Sequence, residues 1–251
     1  MNFIKRANLP SKKVKYIVCD CRIKPEIEME LLKYDISIIK TKTDDSLQLP
    51  VCGHADIHMF HFGGEKFITS KKFNSGFSKA IYNIKEIDDC EIFNNACYQK
   101  ELKHDYPNDV PLNAVKIGEY IICNPKTVCD KIKADANRII TTKQGYTKCS
   151  VVPVESEAII TDDTDIYNSA KNYIDVLLIK KGYVKLNGYN YGFIGGCSGK
   201  LSNDILAFSG SIDKCIESSN IKAFCKNHGV ECISLSSEDL YDYGSLIPIL
   251  E

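Results

Sequence analysis

The sequence contains no run of about 18 or more apolar residues, so no stretch is long enough to cross a bilayer as a helix. It carries no charge excess either: 32 Lys+Arg stand against 33 Asp+Glu. Nucleic-acid binders usually show a basic surplus, so neither a nucleic acid nor a membrane is expected as a partner. The first residues, Met1-Asn2-Phe3-Ile4-Lys5-Arg6, lack the apolar stretch of a secretory signal, and a soluble cytoplasmic protein is expected. Zinc-finger spacing is missing, since no second Cys/His pair follows Cys19-Asp20-Cys21. A phosphate-loop spacing is missing too, because Leu201 follows Lys200 in Gly195-Gly196-Cys197-Ser198-Gly199-Lys200.

The 251 residues are enough to bury a full core, and one domain spanning residues 1–251 is expected. Twelve cysteines are spread through apolar runs rather than gathered in a small loop-rich scaffold. They read as reduced thiols, most of them small core hydrophobes. The stretch richest in chemistry is Cys52-Gly53-His54-Ala55-Asp56-Ile57-His58-Met59-Phe60. Read as a strand, it puts His54, Asp56 and His58 on one face and Ala55, Ile57 and Met59 on the other.

Along the chain the same order of elements recurs. Val14 to Val18 reads as a strand, Pro25-Glu26 opens a helix with Ile27, Leu31 and Tyr34 on its apolar side, and Ile36 to Ile39 is a strand. His54 to Phe62, a Gly63-Gly64 turn, Lys66 to Thr69, a helix over 74–82 and a strand Cys90 to Phe93 make a second unit. Asn113 to Ile117, Tyr120 to Cys123, a helix capped at Asn124 and Arg138 to Ile140 make a third. Cys149 to Val154, Ala158 to Thr161, a helix from Asp165 and Val176 to Ile179 make a fourth. Phe193 to Cys197, Ile205 to Phe208, a helix from Asp213 to Asn227 closed by Gly229, and Val230 to Ile233 make a fifth. One strand, Ser245 to Leu250, is left over, and the first unit lacks its leading strand. Pairing the two completes five ββαβ units with a period of roughly 40–55 residues, as in a closed ring. The expected class is α/β, a pseudo-five-fold propeller whose C-terminal strand completes the first unit.

Such a ring resembles the pentein fold of the guanidino-group-modifying enzymes: arginine deiminase, dimethylarginine hydrolase, agmatine deiminase and the amidinotransferases. Gln144-Gly145-Tyr146-Thr147-Lys148-Cys149-Ser150 and Tyr191-Gly192-Phe193-Ile194-Gly195-Gly196 also resemble an uncharacterised bacterial family assigned to that fold. His54-Ala55-Asp56 is similar to the enzymes' His-x-Asp element, with Phe60 as the aromatic that follows it. Cys149, at the start of an apolar strand two units on, is similar to their nucleophile, although here that strand lies mid-chain. The resemblance implies a cysteine-dependent hydrolase or group transferase acting on a C–N bond of a small amidine- or amino-acid-like substrate. It implies Cys149 as nucleophile, His54 as acid/base and Asp56 as the carboxylate on substrate nitrogens, with no cofactor and no metal.

A catalytic thiol needs thiolate character, and an imidazolium from His54 would supply it near neutral pH. Lys148 points to the opposite strand face and contributes little in this reading. Asn113 and Ser245 occupy equivalent strand starts and would line the same channel. Gly195, Gly196 and Cys197 form a glycine turn able to approach a ligand, or simply to make room for packing. The family's Glu-Gly-Gly-Asp carboxylates are replaced here by Ile194-Gly195-Gly196-Cys197, and a guanidinium wants such carboxylates. Two rivals therefore stand: a non-catalytic binding protein on the same ring, as in the ribosome anti-association factors of that fold, and a metal-dependent enzyme using His54, Asp56 and His58.

Overall fold

The computed structural model describes all residues except 85 and 88–92. Its strands fall into five three-stranded sheets, each with an antiparallel first pair and a parallel second pair. The first unit contributes β1 (Tyr16–Cys19), α1 (Pro25–Lys33) and β2 (Ser37–Lys40). The second begins with a helical turn, α2 (Ala55–His58), and continues through β3 (Met59–Gly63), β4 (Lys66–Ser70), α3 (Lys71–Tyr82) and β5 (Asn94–Tyr98). The third has β6 (Val115–Ile117), β7 (Tyr120–Cys123), α4 (Asp130–Ala134) and β8 (Arg138–Thr141). The fourth has β9 (Val151–Glu155), β10 (Ala158–Thr161), α5 (Thr164–Ala170) and β11 (Asp175–Leu178). The fifth has β12 (Ser198–Lys200), β13 (Ile205–Phe208), α6 (Ser218–Asn227) and β14 (Glu231–Ser234), and β15 (Ile247–Leu250) ends the chain.

β15 pairs antiparallel with β1, in the order β15-β1-β2, so the C-terminal strand completes the first unit. The ring is closed by packing between consecutive sheets. In each sheet the middle strand sends alternate side chains to its two neighbours, as the pleat dictates. Ala158 and Ile160 of β10 pack with Leu206 and Phe208 of the fifth unit, whereas Ile159 packs with Val115 and Ile122 of the third. Val18 packs with Met59 and Phe67 of the second unit, while Ile17 and Cys19 pack with Leu201 and Ala207 of the fifth. Phe60 and Ile68 meet Ala114 and Ile121 across the remaining boundary. Strands buried on both faces read as continuous apolar runs, which is why they stand out in the sequence. The N-terminal segment crosses the end of the ring that carries the hairpin turns. There Gly64 N donates to Ile4 O, Asn8 to Lys116 O and Arg6 to Ser156 Oγ. All the described cysteines are free thiols.

Four local expectations need correction. Residues 54–58 are not strand: Ile57 and His58 donate back to His54 O in a helical turn, and β3 starts only at Met59. A five-residue alternation cannot distinguish the two, and His54, Asp56 and His58 consequently share no face. The first strand of the fifth unit is Ser198–Lys200, because Gly195–Cys197 close into a 3-10 turn packed on neighbouring backbone. Of the strand expected at Cys90 to Phe93, residues 90–92 lie outside the described ones, and the parallel partner of β4 is Asn94–Tyr98. The helices of the third and fifth units start later than expected, at Asp130 and Ser218, after a turn and a 3-10 segment respectively.

Candidate active site

Each first strand is entered through a turn, and those turns carry the chemistry. Residues 54–58, 110–113, 146–150, 195–197 and 242–245 converge at one end of the ring. The polar residues that end the middle strands hold these entrances in place. Asp20 binds Arg22, whose guanidinium donates to the carbonyls of Leu49 (2.5 Å) and Pro50 (2.9 Å), just before His54. Asn124 donates to Lys143 O (2.8 Å), Asp162 accepts from Ile194 N (3.3 Å) and Ser209 donates to Tyr241 O (2.5 Å). In these four units the polar residue at the end of the middle strand is thus a latch on the next unit's entrance.

Cys149, His54 and Asp56 meet. Their Sγ, ring nitrogen and carboxylate oxygen lie within 4.8 Å of one another, and all three residues are buried. Asn113 ties the cluster together. Its Nδ2 lies 3.2 Å from Cys149 Sγ, 3.3 Å from Asp56 Oδ1 and 3.1 Å from Asp56 O, while its Oδ1 accepts from Lys148 N at 2.7 Å. Ser245 Oγ donates to Asp56 Oδ2 (2.7 Å) and accepts from Lys148 Nζ (2.9 Å). Lys148 is therefore inside the cluster rather than on a remote strand face, because Cys149 sits in a turn and β9 begins two residues later. Ser245 reaches this position with φ 73°, following Gly244 at φ 66°. Left-handed backbone at a non-glycine residue is strained, and such strain concentrates at functional sites.

His58 lies apart, its ring nitrogens bonded to Cys52 O and Ser70 Oγ, both at 2.8 Å. That removes the metal set His54, Asp56 and His58, since both His58 ligand atoms are already used. Gly195 and Gly196 lie behind the site. A Cβ on Gly195 would strike the carbonyls of Lys148, Cys149 and Val151, and one on Gly196 would strike the Asp242 carboxylate. Cys197 is buried and bonded to Ile194 O, with burial and then the Asp242 and Asp162 carboxylates pushing its thiol well up.

Asp242 is the residue that the sequence did not announce. It is buried, with Oδ1 3.7 Å from His54 Nδ1, and its two oxygens accept from Gly244 N and Phe193 N, both at 2.9 Å. The one available signal was Gly244 two residues on, where any Cβ would collide with His54. His54 itself has no hydrogen-bond partner on either ring nitrogen, an exception that buried polar groups rarely make without a functional reason. His54, Cys149 and Asp242 open on a cavity of about 250 Å³ that is otherwise walled by Val51, Leu186, Tyr146, Tyr189, Tyr191, Phe193 and Asn190.

The electrostatics reverse one expectation. Burial, then the Asp56 and Asp242 carboxylates, push the Cys149 thiol well above its ordinary value, so the resting group is a thiol and not a thiolate. Burial also pushes the Asp242 carboxyl up, and the Lys148 ammonium down. Asp162 is pushed up to about 7 by burial, and its Oδ1 has no partner. A carboxyl raised in this way holds its proton in the folded state after the unfolded chain has lost it. Stability is therefore expected to fall as pH rises from about 4 to about 7, by up to about 4 kcal/mol. Urea titrations at about pH 5 and about pH 8 are expected to differ far less for Asp162→Asn than for the native chain. An unchanged difference would place the dependence elsewhere.

Comparison with known proteins gives the fold a context. An inosamine-phosphate amidinotransferase from Streptomyces griseus superposes with a TM-score of 0.58 at 9% identity, over 100% of this chain and 97% of that one. An amidinotransferase of the saxitoxin biosynthetic pathway from Microseira wollei gives 0.53 at 9% identity, over 93% and 92%. A C. jejuni agmatine deiminase gives 0.51 at 10% identity, over 92% and 90%. The five-unit ring is the pentein fold. No curated protein matches the chain in sequence. The profile of a family described as "Family of unknown function (DUF6873)" matches residues 18–247, and the chain belongs to that family.

Proposed function

We propose that the chain is a cysteine-dependent hydrolase or group transferase acting on a C–N bond of a small amidine-like substrate. The observation that carries this reading is the meeting of Cys149 Sγ, a His54 ring nitrogen and the Asp56 carboxylate within 4.8 Å, beside a cavity that Asp242 also lines. An amidinium entering there brings positive charge against Asp242, one of the two carboxylates that raise the thiol. Its arrival offsets that carboxylate's field and lowers the cost of ionising Cys149. The thiol proton passes to His54, whose nitrogens are unengaged, and the sulfur bonds to the central carbon to give a tetrahedral adduct. His54 returns that proton to the departing amine as the C–N bond breaks. Neutral His54 then takes a proton from water, or from an acceptor amine, which displaces the sulfur and restores the thiol.

In this scheme Asp242 holds the substrate nitrogens. Asp56 does not line the cavity and works from behind, fixed by Ser245 and Asn113. Lys148 limits the negative charge of the cluster through Ser245.

The test is alkylation by 2-chloroacetamidine, a cationic amidine, against neutral iodoacetamide, with the labelled cysteine found by peptide mapping. The amidine is expected to label Cys149 first, and His54→Ala to slow that reaction at least about 100-fold, the usual scale for loss of a general base. If Cys149 stays unlabelled while other thiols react, or labels at the same rate without His54, the catalytic reading falls and a binding protein on this ring takes its place.

His54, Asp56 and Cys149 also form a donor set that zinc accepts, imidazole with carboxylate and thiolate. One feature disfavours it: the Asp56 oxygens already accept from Ser245 and Asn113. Elemental analysis of purified protein is expected to find metal well below one equivalent. A stoichiometric ion lost in Cys149→Ala would make this a metal enzyme.

A further inference from the structure

The walls of the cavity specify more than a cation. Apart from three tyrosines, its titratable lining groups are His54, Asp242 and Cys149, and among the described residues no Lys or Arg lines it. The cations nearby are engaged elsewhere: Lys148 is bonded to Ser245, and Arg22 to Asp20 and two carbonyls. A substrate carboxylate would therefore meet Asp242 and aromatic rings with no counter-charge, which is costly in a buried site. What the cavity offers instead is flat apolar surface. Tyr146 stacks on Phe193 with centroids 6.0 Å apart and planes at 25°, and Tyr191 stands edge-on to Phe193 at 6.2 Å and 89°.

These walls are held before any ligand arrives. The Tyr146 hydroxyl donates to the buried Asp109, and its ring stacks on Tyr106 at 6.0 Å on the side of the adjoining loop. Tyr189 donates to Gln48 from the loop that leads to His54. Such preorganisation spares the ligand the entropy of ordering them. The cavity volume, about 250 Å³, falls below the roughly 300–1,000 Å³ of sites that take drug-sized molecules.

Resting on the amidine reading above, we infer that the substrate is an amidine or guanidine carried on a small flat apolar group and bearing no carboxylate. It is thus of the aryl-amidine type rather than an α-amino acid of the arginine type. The cationic end pairs with Asp242 beside Cys149, and the flat end lies on Phe193 and Tyr146. A cation next to aromatic faces adds a further attraction.

Calorimetric titration of Cys149→Ala, which cannot react, tests this with benzamidine, benzamide, agmatine and arginine. Benzamidine is expected to bind at least tenfold more tightly than each of the others. Benzamide lacks the charge, agmatine lacks the flat face, and arginine adds a carboxylate. Combining Cys149→Ala with Phe193→Leu keeps apolar bulk but removes the ring; it is expected to cut the benzamidine preference at least fivefold with an unchanged melting temperature. Arginine or agmatine binding as tightly as benzamidine, or a preference untouched by Phe193→Leu, would overturn the inference. The reaction itself is judged separately. Selective benzamidine binding together with a Cys149 that 2-chloroacetamidine never labels would keep the specificity and remove the chemistry. Labelling that arginine blocks better than benzamidine would keep the chemistry and remove the aryl class.

Discussion

Removal of Ser245–Glu251 is expected to abolish cooperative folding. β15 is the first strand of the first unit, and Leu246, Ile247, Ile249 and Leu250 are all buried. Ile247, Ile249 and Leu250 belong to the core shared with the second unit, and Leu246 to the core shared with the fifth, so their loss opens the ring on both sides. The N-terminal segment would lose its partner as well, since Asn2 and Ile4 bond to Glu251 and Ile249. Each large aliphatic side chain removed from a core costs about 2–5 kcal/mol, and four of them exceed much of the roughly 5–15 kcal/mol that holds a domain together. The truncated chain should show no sharp thermal transition and should bind a hydrophobic dye. A truncation melting within a few degrees of the full chain would mean that β15 is dispensable and that the ring is not closed as described.

Asp242→Asn is expected to move two reactivities of one thiol in opposite directions. Asp242 is one of the two carboxylates that push the Cys149 thiol up, so its neutralisation should lower that value and speed neutral iodoacetamide at fixed pH. The same change removes the group that pairs with an amidinium. A desolvated charge pair broken on one side costs about 2–5 kcal/mol, so 2-chloroacetamidine labelling and any turnover should fall by about 30-fold or more. The asparagine carbonyl can still accept one of the backbone hydrogen bonds from Gly244 and Phe193, which favours a folded variant. Two rates rising together, or falling together, would remove Asp242 from substrate binding and leave it a packing residue.

The architecture was legible because the middle strands are buried on both faces. Tyr120–Cys123, Ala158–Thr161 and Ile205–Phe208 must feed two cores each, and they show it as unbroken apolar runs. The unpaired Ser245 to Leu250 segment then forced the closure. The pairing of Cys149 with His54 was legible only through the family resemblance, which the unit count carried onto these residues across the ring. The turns before the first strands were not legible. His54 to His58 alternates like a strand within a segment too short to reveal a 3.6-residue period. Reading turns as strand also put His58 on one face with His54 and Asp56, in the rival metal set, and turned Lys148 away from the site. Asp242 was hidden for a different reason: its partners His54 and Phe193 come from other units, and nothing local in Asp239-Leu240-Tyr241-Asp242 distinguishes it from a solvated acid.

The pairing of β15 with β1 also governs the order of assembly. β1 pairs at once with β2 nearby, but its other edge waits for a strand that leaves the ribosome more than two hundred residues later. Contacts of such high sequence separation form late, because the chain entropy lost in closing the loop is regained only when the two edges meet. Asp242, Gly244 and Ser245 arrive with that same strand. Until it docks, Cys149 and His54 have neither the carboxylate that faces them nor the hydroxyl that links Lys148 to Asp56. Docking of β15 therefore both closes the ring and completes the charge pattern of the site.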